Sequence, residues 1–260
     1  MNHLSEVGLV AANTSRSRAY LAALERHSLL PTWTLLLDDG STKEMPGQLN
    51  EPTSSDAPGL WQNEFWSEAS FDPGAPLEPW LQRLGLNYEV ADSRDINDPA
   101  VVNLIARSAP SVLIYSGYGG SLLGREVLSV GKHFLHVHGG FLPDYKGSTT
   151  NFYSLLAENA LGASALFLTE DIDGGPILAR QRFPPPKNRQ DIDHRYDSAA
   201  RAKVLIDVLD LFRQAGEWNS ANIHGGKTYY IIHPVLKHLA IIGEDTEDST
   251  VVSISEEKCE

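Results

Sequence analysis

Short apolar runs, separated by stretches with helical spacing, constrain this chain more than any other feature. Val7–Ala12, Thr32–Leu37 and Ser111–Tyr115 are apolar, each too short for a buried helix, and His133–Val137 reads as another strand. Between them, Arg18–His27 places Tyr20, Leu21 and Leu24 at helical spacing, and Leu77–Leu84 and Asp98–Ser108 read the same way. Asn87–Val90 adds another strand, Leu122–Leu128 a short helix, and Ala163–Thr169 a further strand. Helices are expected over about Thr150–Asn159 and Arg195–Gln214. Strands alternating with helices predict an α/β fold with a Rossmann-like, mainly parallel sheet, helices on both faces and a small C-terminal extension.

The expected organisation is an α/β domain over residues 1–215, an extension over 216–243 and an acidic tail over 244–260. The rhythm breaks at about 38–76, which is rich in Gly, Pro, Ser and Asn yet carries Trp61, Phe65, Trp66 and Phe71. That many aromatics point to an ordered insertion, either a lid or subunit contact or a loop docked on the core. With 260 residues, 42% of them hydrophobic and 21% charged, one large domain with a proper core is affordable.

The net charge of −13 sets the chain against polyanions, so no nucleic-acid partner is expected. Cys259 is the single cysteine, which excludes an internal disulfide and a zinc site built on thiolates. Met1–Ala12 has no basic segment leading into a long apolar stretch, and no apolar run approaches the ~20 residues a bilayer span needs. These features predict a soluble, cytoplasmic protein with no membrane partner; a homo-oligomer is compatible with the sequence.

Open α/β sheets bind ligands at the carboxyl ends of their strands. Three polar segments fall there: 116–121, 136–149 and 169–176. In the second, His136 and His138 sit two residues apart at a strand end, on one face and about 7 Å apart, before Gly139-Gly140. In the third, Asp171-Ile172-Asp173-Gly174-Gly175 is a turn able to push a carboxylate into a cleft. A carboxylate behind an imidazole fixes its tautomer and poises it near neutrality. His133 reads as structural. Asn13–Arg18 precedes a helix and is either an ordinary N-cap or an anion site using its backbone N–H groups with Arg16 or Arg18. His233–His238 suits a capped helix, with Tyr229 and Tyr230 beside it as a candidate acceptor wall.

His138-Gly-Gly-Phe-Leu-Pro-Asp-Tyr-Lys-Gly147 resembles the signature of the folate-dependent formyltransferase family, whose acceptors include glycinamide ribonucleotide, methionyl-tRNA and amino sugars. Asp171-Ile-Asp-Gly-Gly-Pro-Ile-Leu178 resembles that family's second signature, and the similarity covers roughly residues 5–38 and 77–215. The resemblance implies formyl transfer from 10-formyltetrahydrofolate to an amine, with His138 and Asp173 as catalytic residues. It also implies that backbone groups near Tyr118 and Gly119, and near Asp171 and Ile172, hold the pterin. His136 stands where the family has asparagine, and is expected to take over the hydrogen bond to the formyl oxygen. Asn13, Arg16, Lys146 and Ser148 are the candidate acceptor-binding residues; no metal is expected. A small-molecule amine, an amino sugar foremost, is the expected acceptor. The other readings are hydrolysis of the formyl donor, a metal-dependent hydrolase built on His136-x-His138 with Asp173, and a non-catalytic folate-binding relative.

Overall fold

The computed structural model describes residues 3–38, 40 and 70–243. The aromatic cluster Trp61, Phe65 and Trp66 and the acidic tail lie outside the described residues. Four strands run parallel: β1 (Val7–Ala12), β2 (Thr34–Leu37), β3 (Tyr88–Ala91) and β4 (Val112–Ser116). A fifth, β5 (His133–His138), pairs parallel with β4. The short β6 (Tyr145–Gly147) follows it in the chain. Two antiparallel strands, β7 (Leu161–Phe167) and β8 (Ile177–Phe183), complete a seven-stranded sheet in the order β3-β2-β1-β4-β5-β7-β8. The expected α/β class with a mainly parallel sheet is therefore observed, with an antiparallel edge on its β5 side.

The helices are α1 (Ser15–Arg26), α2 (Leu77–Arg83), α3 (Pro99–Arg107), α4 (Arg125–Leu128), α5 (Thr150–Glu158), α6 (Asp197–Ala215) and α7 (Pro234–Ile242). Their ends follow local chemistry. Thr14 caps α1 by accepting from the Ser17 N–H, and Asp98 caps α3 ahead of Pro99. Gly216, with φ of 77°, ends α6 in the left-handed region. The expected helix over Leu122–Leu128 begins only at Arg125, because Gly124 is the N-cap and its N–H is held by Asn97 Oδ1 at 2.6 Å.

One face of the sheet buries α1 and α6 against Leu9, Ile114, Leu135 and Val137. The other buries Val101 and Ile105 of α3 against Val10, Leu35, Leu113 and Phe134. Successive residues of β5 alternate between these faces, as the pleat demands. After α6 the chain returns as β9 (Lys227–Tyr229), which pairs parallel with β6, and α7 then packs on α5. This return brings residues 227–232 beside the segment that follows His138. No helix among the described residues is long and apolar enough to cross a membrane.

Candidate active site

The site lies at the carboxyl ends of β4 and β5. His138, the last residue of β5, is buried, with its side chain only 7% exposed. Its Nε2 is 2.8 Å from the carbonyl oxygen of Tyr145, and its Nδ1 is 3.4 Å from Asp173 Oδ1. The chain can turn this tightly because residue 140 is glycine; a Cβ there would lie 2.7 Å from His138 Nε2. Asp173 reaches the histidine from the loop between β7 and β8, with φ of 50°, a left-handed conformation that Asp tolerates better than most residues. Its second carboxylate oxygen accepts the Gly147 N–H at 2.7 Å. Two sequence-distant segments are thereby locked together around one imidazole.

Burial lowers the pKa of His138, and the Asp173 carboxylate opposes that fall. The Nε2–Tyr145 contact requires a proton on Nε2, because a carbonyl only accepts. In the neutral ring Nδ1 then turns a lone pair toward Asp173; a second proton converts that contact into an ion pair. The histidine therefore rests neutral, with Asp173 beside Nδ1 to balance a proton gained there.

His136, two residues before His138 on β5 and near enough to feel its charge, is half-buried, with Nδ1 3.2 Å from the Tyr115 carbonyl oxygen. Burial, then Arg16, Arg201 and His138, hold its pKa well below the ordinary histidine value. The ring is therefore neutral with its proton on Nδ1. The hydrogen bond expected from His136 to a formyl oxygen has no proton on the other nitrogen to carry it, because the Tyr115 carbonyl has taken the donor.

Arg16 turns inward, donating to the Gly117 carbonyl and, at 3.3 Å, to Ser116 Oγ. Asn13 accepts from Arg18 at 2.6 Å, and Arg18 also donates to the Ala75 carbonyl at 2.7 Å. Of the two readings of Asn13–Arg18, the N-cap is formed by Thr14, and Asn13, Arg16 and Arg18 are engaged with protein groups. Lys146 and Ser148 flank Gly147, and the Ser148 N–H donates to the Tyr229 carbonyl at 2.9 Å. The Gly147 N–H between them donates to Asp173. His233 is the N-cap of α7, accepting from Val235 N at 3.3 Å.

The two loops expected to hold a pterin have different characters. The Tyr118 hydroxyl donates to the Leu37 carbonyl at 3.1 Å and Arg94 stacks on its ring, so that side chain is anchored in the fold. Gly119 faces open space. Asp171 and Ile172 are exposed, Ile172 by 54% despite its apolar side chain. Arg125, at the start of α4, pairs with Glu170 at 3.1 Å and ties the two loops together.

Sequence reasoning did not identify Arg201, Asp197 and Asn151, which form the floor of the site. Arg201 Nη1 donates to the Val137 carbonyl at 3.1 Å, between the two histidines. Its Nε lies 2.8 Å from Asp197 Oδ2, an ion pair by distance though too oblique for a hydrogen bond. Asn151 donates to Asp197 at 2.6 Å and accepts the Gly162 N–H at 3.1 Å. The available signal was Asp197 and Arg201 one helical turn apart within an alanine-rich stretch. Among the described residues, no three His, Cys, Asp or Glu side chains gather as a metal-holding group.

The family described as Formyl transferase matches residues 73–209. A methionyl-tRNA formyltransferase of Roseiflexus castenholzii is 31% identical over 140 residues, which is 53% of this chain and 44% of that protein. One from Chloroflexus aurantiacus is 34% identical over 125 residues, 47% of this chain and 36% of the relative. The chain thus matches less than half the length of these curated relatives. Among solved structures, glycinamide ribonucleotide transformylase 1 from Symbiobacterium toebii superposes with a TM-score of 0.55 at 15% identity, covering 83% of this chain and 90% of that one. A sugar N-formyltransferase from a Shewanella species gives 0.52 at 12% identity, covering 90% and 86%. At such identities these two structures share the fold.

Proposed function

Since the chain belongs to the formyl transferase family, we propose that it moves a formyl group from 10-formyltetrahydrofolate to the amine of a small metabolite, an amino sugar being the first candidate. One observation carries the reading: the buried His138–Asp173 pair joins the family's two signature segments at the open end of the sheet. When bound, 10-formyltetrahydrofolate supplies the formyl carbon and departs as tetrahydrofolate. The backbone at Tyr118–Gly119 and Asp171–Ile172 would hold its pterin. Open space at Gly119 and the exposed Ile172 side chain fit a flat, partly apolar ring entering between these loops.

His138 meets the formyl oxygen with an N–H as negative charge develops there, and Asp173 balances the imidazolium so formed. Both ring nitrogens already face protein groups, so one contact must be exchanged for the reacting oxygen. The 3.4 Å contact to Asp173 is longer than an ordinary hydrogen bond and is the looser of the two. Gly147 N–H keeps the carboxylate beside the ring, so that when Nδ1–H turns to the reacting oxygen the imidazolium and Asp173 still attract at about 4 Å. Lys146 and Ser148, on either side of Gly147, would meet the acceptor, together with Tyr230, which follows β9 and is 80% exposed. Asn13 and Arg16 could contact the acceptor only by exchanging the bonds they make to Arg18 and to Gly117 and Ser116.

The net charge of −13 favours a small acceptor over a polyanionic one. Methionyl-tRNA still belongs in the test, because the relatives by sequence carry that name. The experiment is incubation of the protein with 10-formyltetrahydrofolate and a panel of amino sugars, nucleotide-linked amino sugars, amino acids and methionyl-tRNA, followed by product mass. Formylation of a sugar amine supports the proposal. Formylation of methionyl-tRNA alone overturns the small-molecule assignment, and consumption of donor without any amine points to a hydrolase.

A further inference from the structure

His136 is the residue at which this chain departs from the family pattern, and its surroundings dictate what it offers. Its Nδ1 is 3.2 Å from a carbonyl oxygen that can only accept, so the proton sits on Nδ1. Nε2 is then a bare lone pair. The cations facing the ring are Arg16 from α1 and Arg201 from α6; His138 neighbours it on β5, and the Tyr115 ring packs 6.1 Å away from β4. Arg16 is committed to Gly117 and Ser116, and Arg201 to Val137 and Asp197. Among the described residues no protein donor bonds Nε2.

We propose that His136 serves formyl transfer as a hydrogen-bond acceptor, its Nε2 receiving an N–H of the attacking amine. This deepens the formyl-transfer reading and rests on it. An oxygen that gathers negative charge is repelled by a lone pair and has no reason to settle there. A primary amine can give one N–H to Nε2 and still present its own lone pair to the formyl carbon. No covalent bond is made or broken at His136: the new bond from the amine nitrogen to the formyl carbon replaces the bond to the folate nitrogen, and the proton the amine sheds passes through His138, paired with Asp173, to that departing nitrogen. His136 and His138 then divide the work: one orients the nucleophile, the other meets the oxyanion. The acceptor class that fits is a primary amine arriving uncharged, because an ammonium has no lone pair left to attack the formyl carbon.

Two measurements test this. Long-range proton–nitrogen correlation spectra of the uniformly nitrogen-15-labelled protein, assigned with His136→Asn, report the tautomer directly in the free protein. The expected result is Nδ1 at an N–H shift and Nε2 at a lone-pair shift, unchanged from about pH 5.5 to about pH 8. A proton on Nε2, or titration within that range, overturns the proposal, whatever the activity. In steady-state kinetics with the amine that turns over in the panel, His136→Leu should lower kcat/KM for the amine by about a hundredfold or more. Its KM for 10-formyltetrahydrofolate should stay within about twofold. Equal losses for both substrates, or none, overturn the assignment. A protein inactive with every amine rejects the formyl-transfer reading itself, a failure distinguishable from a misassigned tautomer.

Discussion

Replacing Asp173 by Asn removes one charge and almost no volume, and its effect can be worked from the geometry. The carboxylate sits 3.4 Å from His138 Nδ1, and both side chains are about nine-tenths buried. Opposite charges about 4 Å apart attract by about 4 kcal/mol at an effective dielectric of about 20. That attraction exists only while His138 is protonated, which in the proposed mechanism means at and near the transition state. Each 1.36 kcal/mol, roughly, is a factor of ten in rate, so Asp173→Asn should slow turnover about a thousandfold. Stability should change by only about 1 kcal/mol, since an amide oxygen can still accept the Gly147 N–H. The assay is kcat for formyl transfer, measured beside urea denaturation of the same preparations. A folded Asp173→Asn protein within about fivefold of the wild-type rate would refute the electrostatic argument.

Acidification should destabilise the fold, and the sign follows from the histidines. Burial depresses the pKa of both His136 and His138 in the native state. The stability carried by their neutral forms is therefore complete above about pH 6.5, the unfolded value, and is lost as the pH falls toward the folded values. Urea midpoints should drop between about pH 7.5 and about pH 5, with a shallower drop in His136→Asn; an unchanged slope in that variant would contradict the assignment to His136. Arg201→Met strands the Asp197 carboxylate in the floor of the site and should cost about 3–5 kcal/mol. Chemical denaturation checks this, and a loss below about 1 kcal/mol would mean the pair is not buried as described. Gly147→Ala meets two obstacles, a φ of 97° and overlap of the new Cβ with the Tyr229 carbonyl. It should destabilise by about 1–3 kcal/mol and lower kcat by loosening Asp173, measured by the same two assays.

How much of this was legible depended on whether the determinant lay in side-chain pattern or in backbone partners. Strands β1, β2 and β4 are buried apolar runs, and their positions read directly from the sequence. The strand Ile177–Phe183 did not, because Arg180, Gln181 and Arg182 interrupt its apolar pattern and most of it is only half-buried. Periodicity carries no direction, so the antiparallel pairing of β7 and β8 was equally out of reach. The three-residue strands β6 and β9 exist only through each other. Within the site, His138 and Asp173 were marked by two spaced motifs. The groups that set their chemistry are carbonyls of Tyr115 and Tyr145 and the N–H of Gly147, which no side-chain pattern announces. Arg201 and Asp197, one turn apart on α6, look in sequence like any exposed helical pair. Only the packing of α6 beneath Gly139 and Val137 shows that they are enclosed.

The most direct test of the central claim follows the formyl carbon itself. The protein is given 10-formyltetrahydrofolate labelled with carbon-13 in the formyl group together with the amino-sugar panel, and the label is traced by NMR. The account expects the label to appear as an N-formyl amide on the acceptor, with the signal absent in His138→Ala and Asp173→Ala. Label recovered as free formate at the same rate with and without amine would contradict it.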